Sequence, residues 1–410
     1  MAKKVLIIGF VWPEPKSSAA GSRMMQLIEA FQTNSYEITF ASPCAKTDNA
    51  FDLNSINVEP VEIVLNSAAF DDFVKKLRPD VVMFDRFMME EQFGWRVAEH
   101  CPSTLRILDT EDLHCLRKGR GRAIKEGKPF SRAYLFNDIA KREIASIFRC
   151  DLSLIISEAE IDILIEEFKV APSLLHYVPF MIDPIEEMSQ LPKFEEREHF
   201  ITIGNFLHEP NYKSVIYLKE HIWPLIRKQL PSAEMHVYGA YSSDKVHQLH
   251  NEKEHFFVKG FADDVNQVMQ ESRVCIAPLQ FGAGLKGKLI DAMVNGTPCI
   301  TTSIGAEGMF GDLEPNGFIE DDAQNFANNA TELYISKDLW NTFQLNGFEV
   351  VKNRFRKSTL SRKLISKVEK AIENLEEHRL NNFMGTMLQH HSMQSTKFMS
   401  RWIEEKNKQV

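Results

Sequence analysis

The chain has 410 residues, 44 % of them apolar, and its 48 basic and 57 acidic side chains leave a formal charge of −9. That length exceeds one ordinary core and predicts two or three domains. The charge excludes nucleic-acid binding through a globally positive surface, and the apolar fraction excludes wholesale disorder.

In chain order, the opening Met1–Phe10 holds too short an apolar run for a signal peptide, and no run of eighteen apolar residues follows. A soluble, cytoplasmic protein is therefore expected. Six cysteines without a C-x-x-C pair fit the same reducing compartment and exclude a zinc knuckle. Val5–Ile8 reads as a buried strand, and a loop with Pro13, Pro15 and Gly21 leads to a helix over Ser22–Thr33. Strand Glu37–Ala41 completes a βαβ unit, whose crossover makes the sheet parallel. The pattern repeats through helix Phe70–Leu77, strand Val81–Phe84, helix Glu90–His100, strand Leu105–Leu108, helix Ala133–Phe148 and strand Leu152–Ile156. Leu116–Arg132, with seven basic residues and one acid, reads as a mobile solvated loop. It also suits an anionic membrane surface at the inner face or a phosphorylated lipid carrier. Residues 1–180 are thus expected to form one doubly wound Rossmann-like domain.

Residues 181–196, with proline and acid around Ile185, read as a linker. Alternation restarts with strand His199–Ile203, a helix through Ser214–Leu230, strands Glu234–Tyr238, His255–Val258 and Arg273–Ala277, helix Leu285–Val294 and strand Pro298–Thr302. A second doubly wound domain is expected over 197–375. The tail, 376–410, places Leu380, Phe383, Met384, Met387 and Leu388 at helical spacing and is expected to pack back on the body as a helix or helix pair. Two such domains set their strands' carboxyl ends across a cleft, the default ligand site.

The most informative segment runs from Ala277 to Met293. A strand ends at Pro278, a loop with Gly282, Ala283 and Gly284 follows, and a helix opens with Lys286 and Lys288. Free N–H groups and partial positive charge at a helix N-terminus suit phosphate, and cations placed there want an anion. Asp291, three residues beyond Lys288, suits a hydroxyl such as a ribose offers. Gly282, Gly284 and Gly287 also satisfy G-x-G-x-x-G, but late in the domain, whereas a dinucleotide fingerprint belongs at the first βα turn.

The stretch Phe200–Met309 resembles the C-terminal half of retaining, nucleotide-sugar-dependent glycosyltransferases of the GT-B fold, family-4 type. The matching pieces are Ile203-Gly204-Asn205 with Pro210-Asn211, His236–Gly239, Val258–Phe261 with Asp263–Val265, the glycine–lysine segment with Asp291-Ala292-Met293, and Gly296–Gly308. Leu108–His114 with Arg117, and Val178-Pro179, resemble first-domain pieces of the same group. Two departures stand out. The family usually carries two glutamates eight positions apart, where this chain has Ala283 and Asp291; and Asn205 stands where many relatives have arginine.

The resemblance implies an α/β architecture of two Rossmann-like domains facing across a cleft. The implied activity moves a sugar from a nucleotide-diphosphate sugar to a glycan or lipid-linked acceptor, with retention and without cofactor or metal; no Asp-x-Asp occurs in the chain. Lys286 and Lys288 would stabilise the leaving diphosphate, with Lys213 adding charge. Gly282, Ala283, Gly284, Asp291, Glu307, Gly204, Gly239 and Phe261 would line the donor site. On the first domain, Asp112 and His114 would orient the reacting groups, and Gly21, Arg23 and Asp109 would meet the acceptor. Rival readings are a nucleotide-sugar 2-epimerase and a non-catalytic nucleotide-sugar binder, the latter motivated by Ala283 and Asp291.

Overall fold

The structure, a computed structural model, describes residues 2–183 and 188–408; positions 184–187 of the expected linker lie outside the described residues. Seven strands form the first sheet: β1 (Lys3–Ile8), β2 (Tyr36–Ser42), β3 (Glu59–Glu62), β4 (Val81–Asp85), β5 (Leu105–Asp109), β6 (Leu152–Ile155) and β7 (Leu175–Tyr177), ordered 3-2-1-4-5-6-7. Six form the second: β8 (Glu198–Ile203), β9 (Met235–Tyr238), β10 (Phe256–Gly260), β11 (Ser272–Ala277), β12 (Cys299–Thr301) and β13 (Gly317–Ile319), ordered 10-9-8-11-12-13. Every neighbouring pair in both sheets is parallel, with helices on both faces. The strand order reverses between β1 and β4 and again between β8 and β11, the crevices where α/β sheets bind ligands.

Short elements escape periodicity. β3, β7 and β13 have three or four residues each, too few for an alternation to show. The expected helix Ser214–Leu230 begins earlier, at Glu209, and widens to a π turn over Leu218–Ile222 before Trp223–Gln229. Pro224 supplies the reason, because it has no N–H and its ring crowds the carbonyl four residues back. The basic stretch is not a loop: His114–Lys125 is helical, and a second short helix covers Arg132–Leu135.

The chain crosses between the sheets twice. Ile182 N–H donates to the Phe355 carbonyl at 2.7 Å, and Lys357 N–H donates to the Ile182 carbonyl at 2.8 Å, so a single parallel β-bridge ties the outgoing segment to the returning one. The helix Lys357–Glu373 after the return packs on the first sheet, where Leu360, Leu364, Ile365 and Val368 join a core with Val5, Leu27 and Phe31. We therefore place the end of the second domain at this return rather than at 375.

The tail forms helices Leu375–Leu380 and Phe383–Asn407. The apolar stripe expected to pack inward points outward: Leu380 is 81 % exposed and Phe383 75 %. The long helix is held instead from its polar side. The buried Arg96 guanidinium bonds Asp71, Ser400 and Glu404, while Lys397 and Arg401 pair with Glu99.

Candidate active site between the two sheets

The donor-side loop begins where β11 ends. Pro278 stops the strand, and Gly284, at φ +63°, takes a left-handed turn that a side chain would strain. A Cβ there would also lie 2.9 Å from the Asp112 Cβ of the first domain. The helix Gly287–Val294 follows, with Lys286 as its N-cap. Gly287 lets this helix end approach the first domain, since a Cβ would stand 2.5 Å from that of Ala19.

Lys286 and Lys288 are each only 8 % exposed. Lys286 Nζ donates to the Ala283 and Gly284 carbonyls. Among the described residues neither lysine forms a salt bridge. Burial pushes both ammonium groups down to about 8, against the pull of Glu307 and Glu160 on Lys286 and of Cys275 and Asp291 on Lys288. The half-buried Asp291 is pushed up to about 7 by burial despite Lys288. Two cations thus crowd a positive helix end, with carboxylates near them but, among the described residues, none in salt-bridge contact.

Across the cleft, Asp112 meets this loop, with His114 beside it. Burial would raise the Asp112 carboxyl, but Arg117, with His114 and His208, holds it down at about 2. His114 Nε2 stands 3.5 Å from Asp112 Oδ1, and burial holds the imidazole neutral, at about 4. His208, at the head of the first helix after β8, faces Arg117, Asp112, Lys288 and Lys286 and is likewise pushed down to about 4 by burial and those cations.

Glu307 also reaches the cleft, where Arg120 binds it bidentately at 2.6 and 2.8 Å and overrides the effect of burial to hold its carboxylate ionised. Arg120 donates further to the Gly282 carbonyl at 2.9 Å. The basic stretch is thus divided. Arg117 and Arg120 turn into the cleft, whereas Lys118, Arg122, Lys125, Lys128 and Arg132 remain exposed.

The small residues at the ends of β8 and β9 permit close approach. A Cβ at Gly239 would fall 2.1 Å from the Gly204 carbonyl oxygen, and one at Gly204 would meet the Asn211 amide at 2.8 Å. Asn205 bonds across to the Ser17 carbonyl at 3.3 Å. Phe261, just past β10, is 41 % exposed and so is not core. Lys213 stands exposed on the helix Glu209–Tyr217.

The acceptor-side expectations need correction. Arg23 and Asp109 are both fully buried and satisfy each other, with Arg23 Nη1 2.5 and 2.7 Å from the two carboxylate oxygens and the rest of the guanidinium on the Val178 carbonyl. Gly21 serves packing, since a Cβ would strike the Glu14 backbone at 2.4 Å. Arg86 and Glu111, after β4 and β5, hold positive φ angles of 71° and 63° without being glycine. Such strain gathers at functional sites, and no sequence signal announces it. Burial and Asp109 push the Glu111 carboxyl up to about 8. Carboxylate oxygens of Asp85, Asp109 and Glu111 come within 4.8 Å of one another, close enough for a metal, but Arg23 stands among them.

Glu143 and Glu160 likewise act here without a sequence signal. Glu160 Oε1 accepts from Leu113 N–H at 2.9 Å, and Glu143 accepts from His114 and Cys115 at 2.9 and 3.0 Å. Together they satisfy the N-terminal amides of the helix that carries Arg117 and Arg120. In sequence both are acids on amphipathic helices, indistinguishable from solvated ones.

Two facing Rossmann-like domains, with a cationic glycine turn opposite an acid–histidine loop, define the GT-B architecture. Residues 197–336 match the family described as glycosyl transferases group 1. Solved structures support the fold over most of the chain. Sucrose-phosphate synthase from Thermosynechococcus elongatus is similar at a TM-score of 0.68 and 15 % identity, over 90 % of this chain and 99 % of that one. HepE of Anabaena, in complex with UDP and glucose, gives 0.66 and 13 % over 90 % and 100 %. WaaG, a glycosyltransferase involved in lipopolysaccharide biosynthesis, gives 0.61 and 11 % over 88 % and 98 %. No curated protein sequence matches the chain.

Proposed function

We propose that the protein is a retaining glycosyltransferase that moves a sugar from a nucleoside-diphosphate sugar to a hydroxyl of a glycan or lipid-linked acceptor. One observation carries this reading: two buried lysines that, among the described residues, form no salt bridge stand at the N-terminus of Gly287–Val294, within the stretch that matches glycosyl transferases group 1, at the sheet's topological switch point. As the sugar's anomeric bond breaks, charge grows on the departing diphosphate. Lys288, Lys286 and the helix amides meet it already in place, so no solvent must reorganise. Asp291 and the exposed Phe261 would hold the nucleoside, and Glu307 the donor sugar. The neutral His114 and the ionised Asp112 would orient an acceptor hydroxyl by accepting its hydrogen bond.

UDP-glucose is the first donor to test, since a structure of the similar HepE holds it. The expected result is UDP release that rises with a suitable acceptor and is unchanged by EDTA. Loss of activity in EDTA would direct attention to Asp85, Asp109 and Glu111. The small Ala283 and short Asp291 favour one rival, binding without turnover; nucleotide affinity with no release across a panel of donors and acceptors would establish it. The exposed basic residues of Leu116–Arg132, beside Ile124 and Phe130, support contact with an anionic lipid surface. No helix among the described residues is long and apolar enough to cross a membrane.

A further inference from the structure

The turn Gly282-Ala283-Gly284 follows a strand of the second sheet, yet the first domain grips both its ends. Arg120 Nη1 donates to the Gly282 carbonyl at 2.9 Å, and the Gly284 N–H donates to Glu160 Oε1 at 2.8 Å. Between these two bonds, Ala283 is 5 % exposed within an apolar cluster of the first domain. Glu160 is fully buried, and its Oε1 is shared with the Leu113 N–H of its own domain, while its Oε2 has no hydrogen-bond partner. Burial and the Asp112 charge push the Glu160 carboxyl up to about 8, and burying such a polar group is costly unless hydrogen bonds offset the loss of water. Half of the bonds that do so for Glu160 come from a domain that departs when the cleft opens.

We propose that Glu160 is a positioning residue which, with Arg120, clamps the glycine turn in its left-handed shape only when the two domains close. The site then takes its reactive form on closure and relaxes on opening, which lets nucleotide leave. This rests on the cleft being the nucleotide-sugar site. A turn covered by the first domain admits a donor only from the open form, where Lys286, Lys288 and the nucleoside contacts of the second domain are already available. The clamp therefore contributes to turnover and not to nucleotide affinity.

The test compares wild type with E160A, E160Q and R120A. The first readout is small-angle scattering without ligand. E160A and R120A are expected to show a larger radius of gyration than wild type, and E160Q, whose amide oxygen still accepts both N–H bonds, the wild-type value. The second readout is UDP affinity by calorimetry and UDP-glucose turnover. E160A should bind UDP within about twofold of wild type and lose at least tenfold in kcat, with E160Q recovering most of it. An unchanged radius in E160A overturns the clamp. So does wild-type turnover, an E160Q as impaired as E160A, or UDP affinity falling in step with kcat. If E160A does not fold, R120A decides by the same split, since that side chain sits at a partly exposed ion pair. A wild type that binds no nucleoside diphosphate refutes the proposed function instead, and the scattering comparison still decides the clamp.

Discussion

Lys286 and Lys288 occupy the first turn of a helix, where aligned peptide dipoles oppose positive charge. Burial compounds the opposition, and only a bound anion relieves both. Lys288→Ala is expected to lower kcat by about 10²–10³, as loss of one preorganised donor does, equivalent to about 2.7–4 kcal/mol. Steady-state UDP release checks this; unimpaired turnover and donor affinity would remove Lys288 from the site. The pH dependence follows from the depressed values of about 8. Without ligand each lysine is charged below that pH and neutral above it, whereas an anion needs it charged. Binding above pH 8 must therefore include proton uptake, at about 1.36 kcal/mol per pH unit per lysine. The rise in Tm that UDP produces should be large at pH 7 and shrink steadily between pH 8 and 9.5. An undiminished rise would mean that the lysines do not face the phosphates. Gly284→Ala meets both strain at φ +63° and the Asp112 side chain, so it should cost turnover while leaving the fold intact by circular dichroism.

The helix His114–Lys125 shows how an element escapes a reader of sequence. Leu113 precedes it, a residue that cannot cap, and a dense basic run looks solvated. Its start is secured by Glu143 and Glu160, which lie 29 or more positions further along the chain, and such long-range capping leaves no local mark. The tail helix errs in the opposite sense. Its apolar spacing is real, but the spacing alone does not say which face meets the body. Arg96 decides it, being 1 % exposed and bonded to Asp71, Ser400 and Glu404. Arg96→Ala takes a buried guanidinium away from the partly buried Asp71 and Glu404 and the buried Ser400, and breaking a buried pair costs roughly 3–5 kcal/mol. Limited proteolysis should then cut within Phe383–Asn407 before the rest of the chain; equal resistance in wild type and variant would assign the docking to other contacts.

At the scale of the molecule, the first domain is completed by residues from the far end of the chain. Leu360, Leu364, Ile365 and Val368 fill a core with the first strand and first helix. Each such side chain contributes about 1.5–3 kcal/mol on burial. A chain ended after Arg356 is therefore expected to lose solubility or to melt well below wild type, even though both sheets are intact. A truncated protein that melts with wild type would show that this helix only decorates the surface.

The amino-acid sequence by itself determined the alternation of strands and helices, two doubly wound units, and the donor loop with its glycines and lysines. These are local: apolar runs, turn residues and a motif of fixed spacing act over a few positions, so their physics is complete within the segment. Only the tertiary structure decided that Arg23 and Asp109 neutralise each other in the core and that Arg120 and Glu160 hold the opposite domain's turn. It also decided that the tail shows its apolar face to solvent. Each of these is a choice of electrostatic partner or of buried face among residues far apart in the chain, and burial, which sets the strength of every charge, exists only once the domains have packed.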